Sequence, residues 1–598
     1  MEPEVRRKKR RGVYYTPKKY VEMMTAAALN ERLAHAAYPD ILGITVLDPA
    51  CGAGAFLVEA YRVLLAAAQR ALRKPLTQRQ KLEVLRSCIF GADVDRHALE
   101  AAAHSLSHAA GRPHTASLHR NLVRGNALLD EIFSARGFDA VLANPPYVFG
   151  EHLSGRDKSR VKARYHASGE QIDLYAAFLE LAVTRLCKPH GVYAFIVPDA
   201  ILVREQRSDV RKILLEHAPP HAIAHVGAVF AEDRARVSAA VLVGRRGIQV
   251  DRIRVVAESP QGTWETVNEL PLAQVRNDAL NRFLIYVRPE EWRVFEALRK
   301  VPRLESVLAA GAHAKGVSRG EEAGKCNLPA KRSRTSAVPA IAGDAITPYA
   351  LAGNRYFLKS LKKNPRCYTA PKILVRKTDD RLFACAEYEG TATLQSVYNL
   401  QVEPEKFDCV LAVLNSKFAR WFLKRTVTQY KQLMPQITQT ELLSLPIPAS
   451  SRDYSQLVKN AAENGAHLEA LEAAVLQDLG VEQIFSSRLQ ASLNCRAYTG
   501  CMPALHEGPV TISLHGDYDI SSNEALRRLL STAEEADEAV IDLSDVTYAG
   551  TTLLNALLNL RSRMRAHGSV GIVRLTGGSK QLRKVLEVTR LDRVFNVM

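Results

Sequence analysis

No apolar run reaches the ~18–20 residues that a membrane-spanning helix needs, so no membrane partner is expected. The N-terminus is basic, but no apolar h-region follows it, which excludes a secretory signal. The nine cysteines form no C-x-x-C pair and no Cys/His cluster at zinc spacing. They read as reduced thiols of a cytoplasmic protein, and no metal is expected. There is no G-K-[ST] phosphate cradle. The dinucleotide pattern G-x-G-x-x-G also fails, because Phe56 and Leu57 follow Gly54. Internal repeats and long low-complexity tracts are missing. Acidic residues are in short supply: 63 against 81 basic ones give a net charge of +18 and a pI near 9.5. That excess points to a polyanionic partner, most commonly nucleic acid. The last hundred residues are close to neutral, so the charge lies in the first five hundred, beginning with a basic arm at 1–11 that contains Arg6–Arg11.

A chain of 598 residues holds about three to five domains. Residues 12–248 alternate short apolar strands ("ITVLDPA", "SCIFGADVD", "FDAVLANPP", "GVYAFIVPDA", "VSAAVLVGRR") with amphipathic helices, the pattern of a mostly parallel, doubly wound α/β sheet. Over 249–450 the alternation loosens into a mixed α/β region with basic clusters, including a helix-like "CVLAVLNSKFARWFLKR" and a proline stop at "LLSLPIPAS". A helical segment and linker fill 451–497, and 498–598 alternate strand and helix again as a separate small α/β domain.

"VLDPACGAGAFLVEA" (Val46–Ala60) is a strand, a glycine-bearing turn and a helix start; Gly52 and Gly54 let the backbone approach a ligand, as a nucleoside cofactor requires. A plain β-α turn would look similar. Asp93, at the end of the next strand, is placed to accept hydrogen bonds from ribose hydroxyls, whereas Asp95 suits a helix cap. Asn126 ends a third strand; its amide could read a purine edge or serve a turn. In "DAVLANPPYVFG" a buried-looking strand runs into Asn144-Pro145-Pro146-Tyr147. Prolines cannot donate to a ladder and force extended geometry before them, so this is a stiff elbow at a strand end, where open α/β sheets bind ligands. By itself it could be a rigid surface turn.

Taken in order, these motifs resemble the N6-adenine DNA methyltransferases of restriction–modification systems, in the class with an NPPY motif and a C-terminal TaqI-like target-recognition domain. "GVYYTPKKYVEMM" (Gly12–Met24) resembles the family's opening motif, "LDPACGAG" its principal cofactor loop, and "DLYAAFLELAV" and "GVYAFIVPDAIL" the motifs after NPPY. "VFAEDRARVSAAVLVGRR" resembles the motif that supplies a second aromatic, here Phe230. The resemblance implies a Rossmann-like fold and S-adenosyl-L-methionine as methyl donor, with Tyr15, Thr16, Asp48, Ala50, Cys51, Gly52, Gly54, Asp93, Asn126 and Phe178 around it. It implies Asn144, Pro145, Pro146, Tyr147 and Phe230 around a flipped adenine in double-stranded DNA. Asn126 departs from the family's frequent Asp at that position, which is expected to tune cofactor binding rather than abolish activity. Residues 249–450 then read as the target-recognition domain, with Arg376, Lys377, Arg381 and Lys417 as candidate DNA contacts. Nothing upstream of Gly12 has room for a nuclease, so any restriction endonuclease is expected to be a separate partner.

The C-terminal hundred residues resemble a STAS domain, the fold of anti-sigma-factor antagonists, through "LHGDYDISS" and "VIDLSDVTYAGTTLLNAL". The phosphoacceptor turn of that family falls at Gly550-Thr551-Thr552-Leu553. Thr551 keeps the hydroxyl that a partner kinase would modify, but the family's Asp and Gly are both replaced, so a protein-docking or nucleotide-sensing role is an equal expectation. Two readings of the whole chain stand beside the leading one: an NPPY methyltransferase acting on RNA or a protein glutamine, and a non-catalytic DNA- or cofactor-binding regulator signalling through the STAS domain.

Overall fold

The structure is a computed structural model. It describes residues 16–485 apart from 112–119, 134–135, 148–152, 169–172, 229–237, 260–261, 310–315, 324–327, 329–337, 354, 379–381, 428–435 and 465–467; of 486–598 it describes four strands and a few helical positions. The chain divides into two compact units, Met1–Asn494 and Cys495–Met598.

Among the described residues of the first unit, nine strands form one sheet in the order β3-β2-β1-β4-β5-β7-β6-β8-β9. They are β1 (Val46–Asp48), β2 (Ile89–Asp93), β3 (Leu122–Arg124), β4 (Phe138–Ala143), β5 (Cys187–Pro198), β6 (Pro220–Ala228), β7 (Ser238–Arg245), β8 (Arg252–Glu258) and β9 (Trp264–Pro271). β1 to β5 are parallel neighbours, and β7 is inserted antiparallel between β5 and β6. This is the doubly wound, mostly parallel α/β sheet that the alternation predicts. Side chains alternate across each strand. Leu47, Val141, Ala143, Phe195 and Val197 therefore face one apolar layer with the helix Leu174–Leu181. Val46, Ala140, Leu142, Ala194 and Ile196 face the other, with the helices Lys18–Leu33 and Ala55–Leu72.

The sheet runs past the boundary expected at 248/249. β8 pairs in parallel with β6, β9 pairs with β8, and Ile253, Val255 and Leu270 enter the same core. The sequence signal weakens there because these strands are partly solvated: β8, paired on both sides, alternates exposed and covered positions at its start.

Further along, Val317–Arg319, Val397–Leu400, Lys372–Arg376 and Ala384–Glu387 form an antiparallel sheet in that order. Its buried Lys372 ammonium pairs with Glu387 and donates to the carbonyls of Tyr368 and Thr391 at 2.9 and 3.0 Å. The helix-like stretch 409–425 is two helices, Phe407–Asn415 and Lys417–Thr426. Ser416 breaks it: its backbone is extended and its hydroxyl accepts from Ala419 N at 3.1 Å, an N-cap that starts a new helix. The Glu472 carboxylate satisfies two further N–H groups of that first turn, those of Lys417 and Phe418. The stretch 453–480 is likewise helical, over Ser455–Asn464 and Leu468–Asp478.

One buried carboxylate joins the residues that follow the large sheet to the helix Lys417–Thr426. Glu291, 1% exposed, accepts from Trp421 Nε1 at 3.1 Å, from Arg425 Nη2 at 2.6 Å and Nε at 2.7 Å, and from the backbone of Arg288.

In the second unit, Val510–Tyr518, Glu538–Ala549, Ile572–Thr576 and Asn596–Val597 form a parallel sheet in chain order. Ile512, Leu514, Ala539, Ile541, Leu543, Val573 and Leu575 are its buried positions. Among the described residues no helix is long and apolar enough to cross a membrane.

Removing one partner of a buried ion pair strands the other charge. Arg425→Ala is expected to lower stability by about 3–5 kcal/mol, read as a drop in the urea midpoint of the first unit. A change below about 0.5 kcal/mol, the scale of an exposed pair, would contradict a joining role for Glu291.

Candidate cofactor and target site

The strand order reverses between β1 and β4: from β1 the chain builds outward through β2 and β3, and from β4 outward through β5. Two loops therefore leave neighbouring carboxyl ends side by side, Pro49–Gly54 after β1 and Asn144–Tyr147 after β4. In open α/β sheets this is the crevice where ligands bind.

The first loop is fixed from below by carboxylates. Ala50 N donates to Asp48 Oδ1 at 3.0 Å, and Gly52 N donates to Asp93 Oδ2 at 2.9 Å. Asp93 also accepts from Asp95 N at 2.8 Å, while Asp95 caps the helix Arg96–Ala109 through His97 N. Asp48 is 2% exposed; burial, reinforced by the nearby Asp93 charge against the bond from Ala50, pushes its carboxyl up to about 8. Burial likewise pushes the Cys51 thiol up.

Gly52 and Gly54 both have positive φ, +52° and +84°. At Gly54 a Cβ would lie 2.9 Å from that of Ala102, so a side chain would force the start of the helix Ala55–Leu72 away from the middle of the helix Arg96–Ala109. At Gly52 nothing lies within 4 Å of the Cβ position, so the backbone there is open to a ligand. A half-buried loop backbone with open space at Gly52, beside a strand-end carboxylate, fits a nucleoside such as that of S-adenosylmethionine.

Asn126 makes a turn: its Oδ1 accepts from Leu128 N at 3.0 Å and its own N–H donates to Asp130. Phe178 is buried on the helix Leu174–Leu181.

At the elbow, Pro145 is buried while Asn144, Pro146 and Tyr147 are half-buried. The Asn144 Nδ2 donates to the Thr16 hydroxyl at 3.0 Å. The Tyr147 ring meets Tyr175 edge-on, with centroids 6.5 Å apart. Tyr175 is itself buried, with Arg207 over its ring at 5.8 Å and Arg207 paired to Asp173. The structure thus brings Thr16, Asn144 and Tyr147 together on one side of the crevice, and Asp48, Cys51, Gly52 and Asp93 on the other. Tyr15, Phe230 and Thr551 lie outside the described residues, as do Arg381 and the basic arm.

Three groupings went unread in the sequence. Thr16 meets Asn144 across 128 residues, a separation that no motif spacing reveals. Asp139, inside the apolar run of β4, is held below the usual carboxylate range: burial opposes this, but bonds from Lys188 and Thr45 outweigh it, and Arg32 pairs with it at 3.0 Å. An acid within a buried strand was the available clue. Beyond β5, His225 Nε2 lies 3.2 Å from Asp199 and 3.0 Å from Ser238 Oγ, while Nδ1 meets the Tyr286 hydroxyl.

In the second region, the register aligns Arg319 with Tyr398 and Val375, at the same sheet end as Arg376 and Lys377. Burial lowers the Lys377 ammonium and the Arg319 charge adds to this. Arg376 donates to the Thr378 carbonyl and lies over Phe383, and Lys417 is exposed.

The strand order and this crevice are those of a doubly wound, Rossmann-like α/β fold. Residues 87–230 match the Eco57I restriction-modification methylase family, and 25–120 match the MmeI DNA-methyltransferase domain. Residues 338–447 match the TaqI-like C-terminal specificity domain, and 501–597 match the STAS domain family described as Mlab. The chain is 26% identical over 250 residues to the Type II restriction enzyme and methyltransferase RM.Eco57I of Escherichia coli, covering 35% of this chain and 25% of that one. It is 27% identical over 208 residues to the Type II methyltransferase M.VspI of Vibrio sp. (strain 343), covering 35% and 42%. A solved structure of the Type IIL restriction-modification enzyme MmeI in complex with DNA aligns over 81% of this chain and 74% of that one, at 15% identity and a TM-score of 0.48. The matched stretch spans about a quarter to two fifths of these two curated relatives. Segments of the chain thus resemble restriction–modification methylases, a TaqI-like specificity domain and a STAS domain, in that order along the sequence.

Asp48 gives a pH test. Its carboxyl is neutral in the fold up to about pH 8 and ionises near 3.8 when unfolded. The unfolded state therefore holds fewer protons between those values, and Asp48 makes stability fall as pH rises through that window. Asp48→Asn removes the dependence. The urea midpoint of the variant relative to wild type is expected to increase from pH 6 to pH 8; a gap independent of pH would contradict a buried neutral Asp48.

Proposed function

We propose that the chain is a site-specific DNA adenine N6-methyltransferase. The observation that carries this reading is the convergence of the glycine loop Pro49–Gly54 and the rigid Asn144–Tyr147 elbow at one switch point. S-adenosylmethionine supplies an electrophilic methyl group. Tyr15 and Thr16 would hold its methionine part, Asp93 its ribose, and Asn126 and Phe178 its adenine, over the backbone of Ala50–Gly54. On the other side, the target amine is a poor nucleophile because its lone pair is delocalised into the ring. It is also buried in the duplex, and extruding the base costs a few kcal/mol.

The chain's own groups address both obstacles. Asn144 Oδ1 and the Pro145 carbonyl accept the two amine hydrogens, favouring a pyramidal nitrogen whose lone pair points at the methyl. The two prolines hold these acceptors still, so they are preorganised where positive charge develops. Tyr147 stacks on one face of the flipped base and Phe230 on the other, each stack worth about 1–3 kcal/mol. The region matched to a specificity domain would read the surrounding sequence, with Arg376, Lys377, Arg381 and Lys417 among its cationic contacts. The role is modification of DNA in a restriction–modification or related defence system, with a separate endonuclease as partner. The STAS domain docks a protein partner, and Thr551 is its candidate phosphoacceptor.

Single-molecule sequencing of DNA from cells expressing wild type and Asn144→Ala tests the reading. One methylated adenine motif in wild type, lost in the variant, is expected. Methylation elsewhere than on adenine, or on RNA or protein alone, would contradict it.

A further inference from the structure

The helix Lys18–Leu33 lies along β4 and is tied to it at both ends. Near its C-terminal end, Arg32 Nη1 bonds Asp139 Oδ1 at 3.0 Å and Nη2 bonds the carbonyl of His190, also at 3.0 Å. Just before its start, the Thr16 hydroxyl accepts from Asn144 Nδ2 at 3.0 Å. Sixteen residues of helix rise about 24 Å; Asp139 to Asn144 spans about 17 Å of strand. Side-chain reach closes the difference. Between the ties, Tyr20, Val21, Met24, Thr25, Ala28, Leu29 and Leu33 form the buried stripe that fixes the helix against the sheet.

We infer that Thr16 is a positioning residue for Asn144: its hydroxyl takes the amide nitrogen and so turns the amide oxygen toward the target amine. The inference rests on the methyltransferase reading and goes beyond a cofactor contact for Thr16. An Asn side chain rotates about two bonds, and its oxygen and nitrogen are nearly the same size. Sterics alone do not choose which of the two faces the substrate. A wrong choice presents N–H donors to an amine that itself needs acceptors. Thr16 has the chemistry to decide, because a hydroxyl oxygen accepts from the amide NH2. Having accepted, the hydroxyl still owns a proton, and it can donate that proton to an anionic group such as an amino-acid carboxylate. One hydroxyl therefore faces both halves of the crevice. A bound methionine carboxylate would hold the rotor with its oxygen toward Asn144, so a filled cofactor site orders the acceptor for the target.

The test compares Thr16→Val, which keeps shape and loses the hydroxyl, with Thr16→Ser, which keeps the hydroxyl. Single-turnover methyl transfer is measured from tritiated S-adenosylmethionine to methyl-free genomic DNA made by amplification, with saturating DNA and varied cofactor. Affinity for S-adenosylhomocysteine is measured by calorimetry on the same preparations. A misaligned reactive group costs about 100-fold in rate, so Thr16→Val is expected to lose about that factor in the saturating rate. Its affinity for S-adenosylhomocysteine should stay within about tenfold of wild type, the scale of one lost hydrogen bond, and Thr16→Ser should recover most of the rate. Three results would overturn the inference: a Thr16→Val rate like that of wild type, a loss confined to cofactor affinity with the saturating rate intact, or a rate loss that Thr16→Ser fails to rescue. Wild-type protein without transfer to this DNA would instead overturn the methyltransferase reading itself, and Thr16 would then have no target amide to position.

Discussion

The reversal of strand order between β1 and β4 is the constraint on which the site depends. Elsewhere in the parallel part of the sheet, a crossover helix packs over the gap between neighbouring strands. At the reversal, the connections from β1 and β4 diverge to opposite sides and leave the gap uncovered. One loop there is held open by a glycine at positive φ, and the other is stiffened by two prolines. Each is anchored from outside itself. Asp93 on β2 fastens the glycine loop through Gly52 N, and Thr16 fastens the elbow through Asn144. Both sides of the crevice are therefore set by rigid elements, as a reaction that needs sub-ångström alignment requires.

The same economy operates farther out. Glu291 is buried and would be costly as an isolated charge, yet it collects a bidentate arginine, an indole N–H and a backbone N–H from two parts of the chain. Arg211 is fully buried and, among the described residues, has no carboxylate partner within ion-pair distance; it donates to the carbonyls of Ile201, Arg204 and Leu280, tying the helix Ser208–His217 to the segment after β9.

Much of this was legible in the residues. The strand alternation from 46 to 245 gave the sheet because its central strands are buried on both faces and read as apolar runs. The Asn144–Tyr147 elbow and the Gly52–Gly54 turn were readable because proline and glycine act locally. The outer strands β8 and β9 were missed because partly solvated strands carry a diluted signal, and the break at Ser416 because an N-cap serine resembles any polar residue inside an amphipathic pattern. The ties Thr16–Asn144 and Arg32–Asp139 were not readable, since each joins residues more than a hundred positions apart and exists only once the helix lies along the strand.

The most direct measurement is ultraviolet crosslinking of tritiated S-adenosylmethionine to the intact chain, followed by peptide mapping. A crevice between the two loops predicts label on peptides carrying Thr16, the Asp48–Gly54 loop or Tyr147, competed away by S-adenosylhomocysteine. Competable label confined to peptides from 338–447 or from the C-terminal unit would contradict it.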